Sequence, residues 1–434
     1  MEKKIKVLTI SDMPLSPSGV GTQTKYICEA LLRTGNFQIR SLGGAIKHPK
    51  YDPIKTEEWG DDWIMFPVDG YGNAEMLRSI IRQEKPDILW FMTDPRFWGW
   101  LWEMENEIRP LLPMVYYHVW DNYPYPTYNR KFYESNDLVA TISKVTDDIV
   151  KTVAPKVKSQ YIPHAVNSDI FRPLELEGDT EFQEMQKEMF GEFYDPDRFI
   201  FFWNNRNARR KQSGSVIFWF AQFLDKVGKD KARLIMHTEI NDPHGQDLKA
   251  IIKELGLTNG EVLFSQTKVS PEKLALMYNM ADCTVNVADA EGFGLATLES
   301  LSCGTPIIVN KTGGLQEQVT DGETVFGVGL EPASKAIIGS QTIPWIYEDR
   351  LNGDDVVDAM ETMYSMSEEE RTRLGLAGRQ YVMDNYNFEN FNKTWVDTLT
   401  QLHEEEGSWE TRKQTQRWVV EEITSGEEQN ENIG

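Results

Sequence analysis

Residues Glu291–Gly314 read EGFGLATLESLSCGTPIIVNKTGG. The run just before them, Cys283 to Val287, is short and apolar and predicts a buried strand ending near Ala288. A Gly-rich loop carrying Glu291 follows. Leu295 to Cys303 then reads as a short helix, with Gly304 placed to end it. Thr305 to Val309 predicts the next strand, and Gly313-Gly314 a tight turn before a second helix starting near Leu315. Strand, loop and helix thus repeat twice, with glycines at each strand end. In an open α/β sheet those strand ends are where ligands sit. Helix N-termini there offer free N–H groups and partial positive charge, which suits phosphate. Glu291 precedes the helix and Glu299 lies about one turn inside it, about 6 Å along the axis from Leu295. Two carboxylates so placed suit different parts of one long ligand, each able to accept two hydroxyl protons from a diol.

Composition narrows the class. The chain has 434 residues, enough for two or three domains. It is 40% hydrophobic and 26% charged, as ordinary globular chains are. No apolar run approaches the ~20 residues of a membrane span. The N-terminus, MEKKIKVLTISD, enters a strand directly without a signal-peptide pattern. Cys28, Cys283 and Cys303 have no paired spacing, so neither a disulfide framework nor a zinc site is implied. A reducing, cytoplasmic location is expected. The net charge of −23 repels nucleic acid and anionic membranes as a whole.

The motif E-x7-E with GFG after the first Glu, then G-T-P and a G-G turn, resembles the retaining GT-B glycosyltransferases, closest to the glycogen-synthase-like family 4. The resemblance implies an α/β fold of two Rossmann-like domains facing across a cleft, with a C-terminal helix crossing back to the first domain. It implies that Glu291 holds hydroxyls of the donor sugar and Glu299 the ribose of its nucleotide. The backbone of Gly292, Phe293, Gly294, Leu295 and Ala296 would face the diphosphate.

The rest of the chain fits that outline. Ile5 to Ile10 predicts a strand, Ser16 to Thr24 a loop and Lys25 to Arg33 a helix. Gly19 and Gly21 do not complete G-x-G-x-x-G, because position 24 is Thr. In the resembled family this loop lies over the cleft near the diphosphate, which makes Gly19 and Gly21 donor-binding candidates. Pro86 to Phe91 predicts another strand, followed by Phe97, Trp98, Trp100 and Trp102. Rings at a strand end can stack on sugars or bases, or pack into the core.

Pro113 to Val119 predicts a strand ending at His118, with Trp120 and Asp121 beyond it. The family often carries a His there in an H-D motif, so the resemblance makes His118 a catalytic and acceptor-contacting candidate. Here the acid is displaced by two residues. Trp98, Trp100, Asp121 and Tyr123 complete the expected acceptor face, extended by Tyr125 and Tyr128. The run YIPHAVNSDIFRP, from Tyr161 to Pro173, has His164-Ala165 where the family has Asn-Gly, and His164 receives no role.

Residues 174–198 are acidic and predict a linker with one helix. A second α/β unit begins at Phe199. After its first strand comes NNRNARRKQSG, Asn204 to Gly214. Arg206 and Lys211 have the R-x4-K spacing with which the family meets the donor diphosphate. Arg supplies planar paired donors and Lys a point charge. The choice of base is expected near the strands Ala232 to His237 and Val262 to Phe264, with Gln266 and Thr267 between strand and helix.

The resulting division is residues 1–173 as acceptor domain, 174–198 as linker, 199–385 as nucleotide-sugar domain, 386–402 as crossover helix and 403–434 as an acidic, solvated tail. Residues 330–355 look like an insertion. No D-x-D motif lies at a strand end, and Asp61-Asp62 and Asp354-Asp355 are adjacent pairs in polar contexts, so no metal and no cofactor is required. The reading is transfer of a sugar from a UDP- or GDP-linked donor to an acceptor hydroxyl, with retention. Carbohydrate, lipid-linked and modified-base acceptors stay open. Other classes are a DNA-modifying enzyme acting on a hydroxylated base, a non-catalytic nucleotide-sugar-binding protein, and a GT-B epimerase, against which the E-x7-E set speaks.

Overall fold

The computed structural model describes residues 3–413, apart from Glu177, Tyr194, Pro196 and Thr267. Each half of the chain builds one largely parallel sheet. The first contains β1 (Ile5–Asp12), β2 (Phe37–Gly44), β3 (Ile54–Lys55), β4 (Trp63–Pro67), β5 (Ile88–Thr93), β6 (Met114–His118), β7 (Leu138–Thr141) and β8 (Ser159–Tyr161). Its order is β3-β4-β2-β1-β5-β6-β7-β8, and the edge strand β3 alone runs antiparallel. The second contains β9 (Phe199–Asn204), β10 (Ala232–His237), β11 (Val262–Ser265), β12 (Cys283–Asn286), β13 (Ile307–Asn310) and β14 (Gly327–Leu330). It is ordered β11-β10-β9-β12-β13-β14 and is parallel throughout.

These strands are near-continuous apolar runs because helices cover both faces. Their order reverses between β1 and β5, and between β9 and β12. Chain leaving the carboxyl ends of such strands diverges and leaves a crevice. The segments that follow β5, β6, β9 and β12 supply most of the cleft described below.

The helices start where the sequence supplies caps. Ser18 accepts from the Gly21 N–H at the start of Gly19–Arg33, and Ser143 caps Lys144–Val153. Ser367 and Glu370 form a capping box on Glu368–Asn385. The linker helix, Thr180–Phe190, is not free chain: Phe182, Met185 and Phe190 are buried, and Glu188 pairs with Lys273 at 3.0 Å.

The final helix crosses back to the first domain. Its Trp395 is fully buried, edge-on to Trp90 at 5.9 Å and Tyr117 at 4.9 Å. Phe388 meets Tyr26 of Gly19–Arg33 at 4.6 Å. Its extent corrects the expected boundary, since it runs Phe388–Glu406 rather than ending at 402. Beyond it the chain is anchored, not solvated, through residue 413. Ser408 donates to Asp87 at 2.7 Å, the Trp409 indole to the Pro86 carbonyl at 2.8 Å, and Arg412 to Asp137 at 2.9 Å. Acidic composition predicted a tail, but three anchoring side chains decide these first residues. Trp418 and the rest of the acidic stretch lie outside the described residues.

The expected insertion is a hairpin, β15 (Ser334–Ile338) against β16 (Ile346–Arg350), antiparallel.

Candidate functional site

A cleft of about 820 Å³ separates the two domains. One wall is the N-terminus of Gly19–Arg33 and the chain after β5 and β6. The other is the loop after β9 and the segment Glu291–Ala296 after β12.

Glu291–Ala296 is shaped by glycine. Gly294 caps Leu295–Ser302 with φ 93, a left-handed conformation that side chains resist. The G-G turn folds back on this loop: Gly314 N–H donates to the Glu291 carbonyl at 3.0 Å. A Cβ on Gly313 would stand 1.8 Å from that carbonyl oxygen. The two glycine pairs seen in the sequence are therefore one packed unit, and it holds a free helix N-terminus at the cleft wall.

The basic loop closes the floor. Arg209–Lys211 is one 3-10 turn, and Gln212, with φ 60, redirects the chain into the helix Ser213–Val227. Lys211, 8% exposed, places its ammonium against the Glu291 carboxylate. Burial works to raise the Glu291 pKa, but Lys211 and Arg210 outweigh it and hold the carboxyl below its ordinary value. Arg206 pairs with Asp242, Arg209 with Glu348, and Arg210 with the Ala290 carbonyl and with Asp121 at 3.7 Å. All four cations line the cleft.

Glu299 is half-buried, one turn further along its helix. Its carboxylate accepts from the Tyr278 hydroxyl at 2.8 Å, and that oxygen accepts from the Asn204 amide at 2.8 Å. Burial pushes its pKa up to about 7. Gly19 lines the cleft, and a Cβ there would lie 3.0 Å from Leu295 Cδ1 of the opposite domain. Gly21 instead packs under Met13, where a Cβ would sit 2.6 Å from a carbonyl oxygen. It shapes the loop but does not face the cleft.

The expected acceptor face needs correction. His118 is fully buried, with its ring nitrogens on the hydroxyls of Tyr116 at 3.0 Å and Tyr133 at 2.9 Å. Burial pushes its pKa down to about 3. As the last residue of β6 it projects toward the sheet face covered by Arg130–Glu134, not into the cleft. Trp98 is also fully buried, against Phe91 and Tyr71, each at 5.1 Å. Trp100 is half-buried against the same core, and the Tyr123 hydroxyl is turned to Asp148 at 2.9 Å. Of the proposed face, Asp121 lines the cleft.

Phe97, 46% exposed, is the ring of that aromatic run at the cleft, together with Asp94 and Arg96, which pair at 2.8 Å. His164 also lines it, 4.9 Å from Phe293, with Nδ1 at 2.8 Å from the Tyr117 hydroxyl. Its position just past β8 was the available signal. Among the described residues no group of three or more His, Cys, Asp or Glu is placed to hold a metal. No helix among them is long and apolar enough to cross a membrane.

Residues 186–350 match the family model "Glycosyl transferases group 1". The chain is 35% identical over 108 residues to a D-inositol 3-phosphate glycosyltransferase of Acidothermus cellulolyticus, covering 24% of each protein. It is 24% identical over 268 residues to a GDP-mannose-dependent alpha-(1-6)-phosphatidylinositol monomannoside mannosyltransferase of Mycolicibacterium smegmatis, covering 59% of this chain and 60% of that one. The aligned stretches therefore span less than two thirds of these relatives. In fold, the chain superposes on sucrose-phosphate synthase from Thermosynechococcus elongatus with TM-score 0.72 and 17% identity, over 93% of this chain and 100% of that one. Anabaena HepE, solved in complex with UDP and glucose, gives TM-score 0.67 and 15% identity over 92% and 100%. The fold is GT-B: two Rossmann-like domains with a returning C-terminal helix. The matched segment carries the basic loop, Glu291 and Glu299, and relates this chain to the GT-B glycosyltransferases.

Proposed function

We propose that this chain is a glycosyltransferase that moves a sugar from a UDP- or GDP-linked donor to an acceptor hydroxyl, with retention at the anomeric carbon, as in the resembled family. One observation carries the reading: Lys211 and Glu291 meet at the cleft floor beside a free helix N-terminus, with three arginines around them. Arg206, Lys211 and the helix end neutralise the departing diphosphate. Glu291 accepts from hydroxyls of the donor sugar and Glu299 from the ribose.

In the transfer, the bond from the anomeric carbon to the diphosphate oxygen breaks and its electron pair stays on the phosphate. The acceptor oxygen bonds to that carbon on the same face. The acceptor proton passes to the leaving phosphate, so no protein carboxylate acts as nucleophile. The two domains exclude competing water. Three free, buried cysteines fit a reducing compartment and support a cytoplasmic place of action.

The test is calorimetry with UDP- and GDP-sugars, followed by assay of nucleoside diphosphate release. Binding lost in Lys211→Ala and Glu299→Ala supports the reading, and wild-type binding in both retires it. Binding without any turnover identifies the non-catalytic alternative.

A further inference from the structure

The hairpin β15–β16 belongs to the second domain, yet it is fastened to the first. The Tyr347 N–H donates to the Tyr123 carbonyl at 2.5 Å, and the Asn122 amide to the Tyr347 carbonyl at 2.7 Å. The Tyr128 hydroxyl donates to the Trp345 carbonyl at 2.8 Å, and the two rings meet edge-on at 5.8 Å. Ile343 is 9% exposed and joins the core of the first domain. At its base, Glu348 is 3% exposed in its side chain and is held by Arg209 at 2.8 Å and Arg350 at 2.7 Å. The strap is therefore tied at both ends, and its inner residues Ile338, Ser340, Ile343 and Ile346 line the cleft.

We propose that this hairpin forms the far wall of the acceptor subsite and restricts the acceptor to a compact polyol of mono- or disaccharide size. The inference rests on the donor reading above. With the donor placed between Gly19, Arg206 and Glu291, the remaining part of the cleft lies between the Asp94–Phe97 segment and the strap. The strap bridges the domains there and walls that side of the cleft. A polymer lying through the cleft would have to pass the strap, which occupies that side. Its volume of about 820 Å³ is in the range of small-molecule sites. Its chemistry suits a sugar ring: the exposed Phe97 ring and the half-buried Ile338 and Ile346 offer apolar surface, and Asp94, Arg96 and Ser340 offer hydrogen bonds around it.

The test uses the full chain. Nucleotide-sugar binding is measured first, and its failure refutes the donor reading rather than the strap. With the binding donor, transfer is assayed to a panel of monosaccharides, disaccharides and polyols. The polymer arm is dextran and duplex DNA carrying 5-hydroxymethylcytosine. Product on compact acceptors, at least about ten-fold more efficient than on either polymer, is expected. Comparable or preferred use of a polymer overturns the proposal.

A second arm needs no acceptor. Tyr128→Ala/Trp345→Ala, with Trp345→Ala alone as the milder variant, unfastens the strap at residues that do not line the cleft. Here water takes the acceptor's place: the same bond to the diphosphate breaks and free sugar leaves. Hydrolysis of bound donor is expected to rise about ten-fold with donor Kd unchanged. Hydrolysis at the wild-type rate in both variants overturns the proposal even where no acceptor gives product.

Discussion

The Lys211 ammonium rests against the Glu291 carboxylate at the floor of the cleft, and the two come from crossovers 80 residues apart in the chain. Neither group is free to wander, because both side chains are mostly buried. Each is the other's neutralising partner, and both line the cleft. A buried pair of this kind is worth little to stability against an apolar replacement.

Removing the ammonium therefore has an asymmetric effect. Lys211→Ala leaves Glu291 buried with Arg210 as its remaining cation, so donor binding falls and turnover drops by about 100-fold or more. Glu291→Gln keeps the shape and the hydrogen-bonding capacity. It is expected to lower kcat more than it weakens nucleotide binding. Steady-state kinetics and calorimetry of the two variants separate these effects, and equal losses in KM alone for both would contradict the assigned roles.

Glu299 is expected to make donor binding depend on pH. Burial raises its pKa from 4.5 to about 7 in the folded chain. The sign follows: the stability linked to this carboxyl is present below pH 4.5 and is lost as pH rises through about 7. Ribose hydroxyls donate to the ionised form, so the donor binds about ten-fold more weakly at pH 6 than at pH 8. Binding near pH 6.5 then releases protons to the buffer. Calorimetry in two buffers of different ionisation heat reads that release directly. It is expected to vanish in Glu299→Gln, and a wild-type profile in that variant would remove Glu299 from the ribose site.

That the basic loop and the Glu291–Ala296 segment share one cleft was legible because the signal is local. Those residues sit at fixed offsets from strand ends, and a parallel sheet brings those ends together. The burial of the aromatic residues was not. His118 and Trp98 stand beside strand ends too, but alternation along a strand does not say which face later chain covers. Tyr133 of Arg130–Glu134 covers His118 from the far side, and Trp98 turns back onto Phe91 and Tyr71. The strap was visible as an insertion, though its attachment to Asn122, Tyr123 and Tyr128 spans more than 200 residues and has no signature in composition. The anchored residues 403–413 were hidden by the acidic stretch around them.

His118 gives a stability prediction. Its folded pKa lies near 3, below the ordinary 6.5, so its contribution is present above pH 6.5 and is lost as pH falls toward 3. His118→Phe removes the partner of two buried tyrosine hydroxyls and costs about 1–3 kcal/mol. Donor affinity of the folded variant is expected to equal wild type. A large fall in kcat with stability intact would return His118 to the catalytic set.

The C-terminal anchor supplies the last prediction. The Arg412 guanidinium, 3% exposed, bonds Asp137, Glu406 and the Arg109 carbonyl, and so ties the end of the final helix to the first domain. Asp137 keeps Arg109 as a partner at 3.3 Å when Arg412 is removed, so its charge is not left alone. Arg412→Ala is therefore expected to cost about 1–3 kcal/mol, the range for hydrogen bonds to charged groups. It lowers the apparent Tm by several degrees, at about 2–4 °C per kcal/mol. Cutting the chain after Gly407 removes Ser408 and Trp409 as well and lowers it further. Scanning calorimetry of the variant, the truncated chain and the wild type orders the three. An unchanged Tm in the truncated chain would mean that these contacts add nothing to the docking of the final helix.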